Sequence, residues 1–406
     1  MKNIGVYTST RADYGLLKPV IVNLQKIFNL DLIVAGGHFM ESRGFTFNEI
    51  ITDEIVKNKN MVKVQYFLEG DSSQALSKSI GTAQISFAQI FEERKYDGIV
   101  ILGDRYELFG ISIPAMLYRI PLFHISGGEI TEGVIDENIR HAHTKLSQIH
   151  LVANHTFAKN ISKMGEEDWR ICIVGECGLD DIYHFDWVEN EEIKNRFNID
   201  LDKMNFIITF HPSTFEFKLS IEKQLDSLLK TVANYHDYQK IFTAPGIENG
   251  SNLLIKKIQE FVEKDNHSIY IKNLGRINYL NILKKSKLVI GNSSSGIVEA
   301  PSLGVPTINI GNRQKNRIHA KSVISCECNE LEIKKVLKKA LSKKFQDYCK
   351  KNIDNPYDPY KDGRNSERIV FAIRKALEIP KGKLMTKRFS TKIDKIEWNC
   401  LIKNFK

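Results

Sequence analysis

The sequence predicts an α/β chain of two doubly wound parallel-sheet domains facing a central cleft. Three observations predict it: short apolar runs alternate with longer stretches of helical spacing, the alternation comes in two blocks, and polar residues able to carry chemistry collect just after the apolar runs. In the first block Ile4–Tyr7, Leu30–Ala35, Met61–Tyr66, Gly98–Leu102, Ile120–Ile125, His150–Ala153 and Arg170–Val174 read as strands. Between them Leu76, Ile80, Ala83, Phe87, Ile90 and Phe91 repeat at helical spacing. In the second block the strands are Asn205–Phe210, Lys240–Ala244, Ser268–Ile271, Leu288–Ile290 and Pro306–Ile310. An acidic helical stretch around Asp186–Asn198 separates the blocks. Pro356 and Pro359 mark a turn-rich connection, and a helix follows over about Ser366–Leu377. The expected domains are 1–185 and 186–365, then a helix over 366–380 able to cross back to the first domain and a basic tail over 381–406. Ligands of such sheets lie beyond the carboxyl ends of the strands, so strand ends are where site residues are sought.

A chain of 406 residues, 42% hydrophobic and 26% charged, has the make-up of an ordinary globular protein. It contains no apolar run near the ~18 residues that span a bilayer. The opening stretch Met1–Tyr7 reads as a first strand rather than a signal peptide. The six cysteines (172, 177, 326, 328, 349 and 400) fit neither a zinc module nor a disulfide scaffold, so a cytoplasmic protein with no membrane segment is expected. The net charge of +9 comes without an aromatic-interleaved basic motif or a helix-turn-helix pattern. It is assigned to a solvated surface and an anion-binding cleft, not to nucleic acid. No cluster has metal-ligand spacing, and neither metal nor cofactor is expected.

The most informative stretch is Gly291–Glu299 (GNSSSGIVE), which joins an apolar strand to helix-like sequence. Backbone N–H groups left open where a helix begins favour a phosphate. Ser293, Ser294 and Ser295 add hydroxyls, Gly296 lets the backbone approach a ligand, and Glu299, one turn in, suits vicinal ribose hydroxyls. An ordinary serine-capped helix fits the same residues. In the second block His211, before Pro212, ends a strand and suits a diphosphate or a leaving group, although a lone histidine also serves structure. Arg313 follows the strand ending at Ile310 and adds a guanidinium for phosphate. Asn273, just after Ser268–Ile271, completes this substrate-binding set.

In the first block Thr8-Ser9-Thr10-Arg11 follows the first strand, with Arg11 suited to phosphate or sugar and a capped loop as the alternative. Gly103-Asp104-Arg105-Tyr106-Glu107 follows the fourth; Asp104 is placed for acid/base work or as a helix cap, and Arg105 for an anion. Ser126-Gly127-Gly128-Glu129 follows the fifth. The run Gly133–His141 then brings Asp136 to the start of an amphipathic helix, where it is a base or a cap. Three carboxylates, Asp104, Glu129 and Asp136, form the set that proton transfers on a neutral sugar require.

Taken in order, Arg11-Ala12-Asp13-Tyr14, Gly103–Glu107, Gly127-Gly128-Glu129, Ile139-Arg140-His141 through Ser147, His211-Pro212 and Gly291–Glu299 with its continuation to Gln314 give a specific resemblance. The chain resembles the hydrolysing UDP-N-acetylglucosamine 2-epimerases of sialic acid biosynthesis, up to about residue 380. The resemblance implies the GT-B architecture of two Rossmann-like domains. It also implies anti elimination of UDP across C1–C2, then hydration of the 2-acetamidoglucal to N-acetylmannosamine. By position, Asp104, Glu129, Asp136 and His211 carry the catalysis. UDP and sugar fall to Arg11, Arg105, His211, Asn273, Ser293, Ser294, Ser295, Gly296, Glu299 and Arg313. Relatives form dimers or tetramers, so a homo-oligomer is expected. One departure stands out: Ser126 occupies a place where several relatives carry a catalytic Glu. Related enzymes of legionaminic acid synthesis act on UDP-2,4-diacetamido-2,4,6-trideoxy-glucose (UDP-N,N'-diacetylbacillosamine), which is the alternative substrate. A nucleotide-sugar-binding protein without turnover is the alternative of another class. No motif lies beyond about residue 380, so that segment is expected to be dispensable for turnover.

Overall fold

The computed structural model describes residues 1–41, 44–66, 72–131, 135–184, 187–212, 219–245, 250–391 and 398–405. Residues 185 and 186, the expected domain boundary, and Gly133 and Val134 of the loop before Asp136 lie outside the described residues. The described residues gather into two compact units, one from 1–130, 135–181 and 357–405, the other from Thr131 and 182–356.

The first unit is built on a parallel sheet of β1 (Asn3–Thr8), β2 (Asn29–Ala35), β3 (Met61–Val64), β4 (Gly98–Leu102), β5 (Leu122–Ile125), β6 (Ile149–Val152) and β7 (Ile171–Ile173), in the order β3-β2-β1-β4-β5-β6-β7. Its strands read as continuous apolar runs because both faces are covered. Alternate side chains serve opposite layers: Ile4, Val6, Val100 and Leu102 face one apolar cluster, Tyr7, Ile99 and Ile101 the other. The Arg11–Gln25 helix covers the first of these layers with Leu17, Val20, Ile21 and Leu24. The Asn365–Glu378 helix joins it there through Ile369, Ile373, Ala376 and Leu377. A fully buried Ile or Leu contributes about 1.5–3 kcal/mol, so this C-terminal helix is an integral part of the first unit's core.

In the basic segment beyond Lys381, the described residues are tied to the first unit at defined points and form a strap. Arg170, fully buried, donates to the carbonyls of Lys383, Leu384 and Thr386. Asn399 then pairs with the edge strand β7, donating N–H to Ile171 O (3.0 Å) and accepting from Ile173 N (2.7 Å). An edge that would otherwise offer open donors and acceptors is thereby covered. Among the described residues no helix is long and apolar enough to cross a membrane.

The second unit carries β8 (Asn205–Thr209), β9 (Gln239–Thr243), β10 (Ser268–Ile271), β11 (Leu288–Gly291), β12 (Thr307–Ile310) and β13 (Val323–Cys326), all parallel, in the order β10-β9-β8-β11-β12-β13. The sequence reading has no strand at β13. This is an edge strand whose side chains are half exposed, so it lacks the continuous apolar run that marks its neighbours. In each sheet the strand order reverses once, between β1 and β4 and between β8 and β11. Loops at such a reversal diverge and open a crevice at the carboxyl ends.

Candidate active site

Beside the first reversal, Asp104 follows β4 in the loop before the helix Leu108–Leu117. It is not that helix's cap, because the position before Leu108 is Glu107, so the capping alternative falls away. Instead Asp104 Oδ2 accepts from Arg140 Nη2. Arg140, 2% exposed, is the hub here: its Nη1 also donates to the Glu129 carbonyl and to Glu137 Oε2, each at 3.0 Å. One planar fork thus ties the loop after β4, the loop after β5 and the helix Ile135–Leu146. Asp136 lies inside the first turn of that helix, four residues before Arg140 and so on the same face. Asp104, Glu129 and Asp136 therefore meet one scaffold element. In the sequence Arg140 stands only within the Ile139–Ser147 motif, and its partner Asp104 is 36 positions away.

His124, fully buried in β5, donates from Nε2 to the Gly103 carbonyl (2.7 Å) and fixes the turn into Asp104. Burial, ahead of repulsion from His143 and His150, draws its pKa down to about 3, which keeps it a neutral strut. Gly128 has φ +77, and a Cβ there would stand 2.4 Å from the Phe157 carbonyl oxygen, so only glycine lets the loop reach Glu129. Ser126, at φ +62, donates its hydroxyl to Glu176 Oε2 at 3.0 Å. Glu176 is a largely buried carboxylate just beyond β7 that the sequence reading missed. The signal was available: a charged residue directly after an apolar strand and a glycine.

The loop after β1 takes its capped alternative. Thr10 accepts from Asp13 N, while Asp13 Oδ2 accepts from Thr10 N (3.1 Å), Ser9 N (3.3 Å) and Ser9 Oγ (3.0 Å), a capping box that satisfies the helix start internally. Arg11 is half exposed, with Glu49 3.9 Å away. Arg105 donates to the buried Glu107 at 2.6 Å. Burial opposes the Arg105 charge, but the Glu107 and Asp13 carboxylates outweigh it and hold the guanidinium charged.

At the second reversal the organiser is Asn292, 2% exposed. Its side-chain amide behaves like one more strand residue: Oδ1 accepts from His211 N (2.7 Å) and Nδ2 donates to His211 O (2.9 Å). Its carbonyl then accepts from Arg313 Nη1 (3.1 Å) and Gln314 Nε2 (3.0 Å). Gly291 precedes it at φ +135, where a Cβ would sit 1.9 Å from the Thr209 carbonyl oxygen. His211, Arg313 and the start of the serine loop are thereby gathered at the ends of β8, β11 and β12. Burial first, and the Arg313 charge second, lower the His211 pKa to about 3, so the imidazole is neutral at pH 7.

The helix expected after the serines is one turn, Ser295–Val298, followed by a 3-10 turn from Ala300 to Leu303 with Glu299 between them. A single turn carries little dipole. What this loop offers an anion is individual N–H and hydroxyl donors. Ser294 stands at the cap position without a side-chain cap bond, Ser293 Oγ accepts from Ser295 N (3.3 Å), and Ser295 Oγ meets Tyr279 OH (2.6 Å). Gly296 is small for a packing reason, since a Cβ there would strike Thr307 Cγ2 at 2.6 Å. Glu299 Oε1 accepts from Arg276 Nη1 at 2.6 Å. Asn273 opens the loop after β10, its Oδ1 accepting from Gly275 N (2.9 Å), and so leads into Arg276. Arg276 and Tyr279 are further residues that the sequence reading missed.

A family model described as UDP-N-acetylglucosamine 2-epimerase matches residues 22–374. The chain is 34% identical over 349 residues to the GDP/UDP-N,N'-diacetylbacillosamine 2-epimerase (hydrolyzing) of Campylobacter jejuni, covering 85% of this chain and 89% of that one. It is 33% identical over 376 residues to the polysialic acid biosynthesis protein P7 of Escherichia coli, covering 91% and 94%. Its fold is similar to that of the UDP-GlcNAc 2-epimerase from Neisseria meningitidis bound to UDP-GlcNAc, at a TM-score of 0.77 and 19% identity over 92% of this chain and 100% of that one. The two parallel α/β sheets are those of a GT-B-like fold, and the chain belongs to the UDP-N-acetylglucosamine 2-epimerase family.

Proposed function

We propose that this chain is a hydrolysing UDP-sugar 2-epimerase and that its substrate is UDP-N-acetylglucosamine, giving N-acetylmannosamine and UDP. The observation that carries the reading is the Arg140 fork, which ties the Asp104 and Glu129 loops to the helix bearing Asp136. Membership of the family adds support for the substrate. In the first step a carboxylate of this set takes the proton from C2. The C1–O bond breaks, its electron pair leaves with UDP, and a 1,2-unsaturated 2-acetamidoglucal remains. In the second step a water adds its oxygen at C1, giving up a proton to a carboxylate of the set, and a protonated carboxyl delivers a proton to C2 from the opposite face. Such steps need carboxyl groups in two protonation states, typically worth about 10²–10⁴-fold in rate. His211, Arg313 and the serine loop take the diphosphate. The neutral His211 imidazole donates a hydrogen bond there, and the phosphate charge opposes the repulsion from Arg313. Glu299 takes the ribose.

A second reading has UDP-N,N'-diacetylbacillosamine as substrate. It is favoured by the likeness to the Campylobacter diacetylbacillosamine 2-epimerase and by Ser126, which stands where several relatives carry a catalytic Glu and donates its hydroxyl to Glu176. Incubation with each UDP-sugar in D2O, followed by NMR, tests both. Free UDP, inversion at C2 and one solvent deuterium at C2 are expected from UDP-N-acetylglucosamine. Turnover of the diacetamido sugar alone would favour the second reading, and a product still linked to UDP would sink both.

A further inference from the structure

The helix Ile135–Leu146 brings Asp136 and Arg140 to the site at its first turns, and the last turn of the same helix is gripped from an unexpected place. Lys387 Nζ donates to the carbonyls of Thr144 (3.2 Å), Lys145 (2.8 Å) and Ser147 (2.7 Å). The same ammonium lies 2.7 Å from Glu166 Oε2. Glu166 has no exposed side-chain surface and also receives Lys145 of the helix and His150 of β6. The carbonyls at a helix C-terminus have no partner within the helix and attract a cation. Lys387 closes two of them, Thr144 and Lys145, together with the carbonyl of Ser147 just past the helix end, with its side chain largely buried.

Lys387 does not arrive there by chance of an exposed side chain. The strap is anchored before it by Arg170, which donates to Leu384 O and Thr386 O at 2.8 Å. It is anchored after it by Arg388 N on Glu167 Oε2 (3.2 Å) and Ser390 N on Gly165 O (2.8 Å). A second bond, His143 Nε2 with Ser112 Oγ at 3.1 Å, pins the helix from the side. The helix is thus fixed in its last turn by Lys387 and His143, and in its middle by Arg140 on Asp104. We infer that Lys387, which lies beyond the family match ending at residue 374, is a positioning residue that sets the axial placement of the helix bearing Asp136 and Arg140. This rests on the proposed function, because it assigns those two residues to the reacting sugar. A rigid twelve-residue rod passes a shift at one end to the other, and misplacement by ~1 Å at a catalytic group costs up to about 100-fold in rate.

The test uses the full chain carrying Lys387→Met, Lys387→Arg or Glu166→Gln. UDP release gives kcat and KM, and amide hydrogen exchange follows 135–147 against 221–233 of the second unit. For Lys387→Met, kcat is expected to fall roughly tenfold or more with KM within about twofold, while exchange rises in 135–147 alone. Lys387→Arg, which keeps a charged donor, should recover part of kcat. Unchanged kcat would overturn the proposal, as would a fall in kcat accompanied by equal exchange gains in 221–233. Should Lys387→Met fail to fold, Glu166→Gln decides: the same pattern at smaller amplitude supports the clamp, and wild-type behaviour in both readouts overturns it. A wild-type chain that releases no UDP from either UDP-sugar counts against the functional reading. Exchange in 135–147 then judges the clamp, and an unchanged value overturns it.

Discussion

The two site regions solve opposite electrostatic problems. In the first unit a guanidinium sits among carboxylates: Arg140 holds Asp104 and Glu137, and Arg105 holds Glu107. In the second a neutral amide does the organising, with Asn292 fixing the His211 backbone and receiving Arg313. Proton transfer on a sugar needs carboxylates kept apart and oriented, and here a buried guanidinium orients Asp104 and Glu137. A diphosphate brings its own charge. The region proposed for it therefore does best with donors that are not already neutralised by acids, and an amide can position them without adding one. Glu299 departs from that rule. It is the one strand-end acid of the proposed diphosphate and ribose set, and Arg276 already partners it.

This contrast can be broken by mutation. The largest expected effect is on turnover: Asp104→Asn and Asp136→Asn should each abolish measurable UDP release, a loss of about 10³-fold or more, while calorimetric UDP affinity stays unchanged. Near-full activity in either would remove that residue from the proposed chemistry. Next, Arg140→Met should lose both activity and about 3–5 kcal/mol of stability, since it leaves two acids without their cation; denaturant unfolding reads this directly. A chain ending at Pro380 should be destabilised by about 3 kcal/mol, as Arg170 loses three carbonyl acceptors at roughly 1 kcal/mol each. Asn292→Ala should cost about 1–3 kcal/mol and weaken UDP binding, leaving exchange in the first unit as it was.

The smallest effect is pH-dependent. His38 and His124 are buried and held neutral, with pKa values near 4 and 3 against 6.5 for the unfolded chain. A base with a lowered folded pKa takes up more protons when unfolded. Its contribution is complete above pH 6.5 and is lost as the pH falls toward the folded value. About 1 kcal/mol per histidine should be gone by pH 5.5. Asp180 runs the other way: burial lifts its pKa to about 6, so its share of stability is present below the ordinary carboxylate pKa and lost as the pH rises through 6. Thermal melts of His38→Asn and His124→Asn chains should flatten the acid limb. An unchanged limb would rule these histidines out as its source.

Which features were legible follows from the range of the forces involved. β4, with five consecutive buried residues, could be read because burial on both faces leaves an apolar run in the sequence itself. β13 could not, because a half-exposed edge strand leaves none. Asp104, Glu129, His211 and Arg313 could be found by their position after strands, since a parallel sheet sends its loops to one end. Arg140, Glu176 and Asn292 could not. Their roles are defined by partners 36, 50 and 81 positions away, and nothing local marks a buried arginine or asparagine as an organiser. Gly291 was visible as a glycine but not as a necessity. Only the paired strand shows the Thr209 carbonyl that excludes a side chain there.

The sequence by itself determined the two-block α/β architecture, the strand-end sets and the family, because periodicity and order along the chain are local properties. The tertiary structure alone decided how those sets are held. It turned the serine loop's expected helix into a single turn and tied Asp104, Glu137 and the Glu129 main chain to one guanidinium. It also made a strap of the basic C-terminal segment. Each of these depends on which distant groups folding brings within hydrogen-bond reach, and on the cost of burying a charge without its partner.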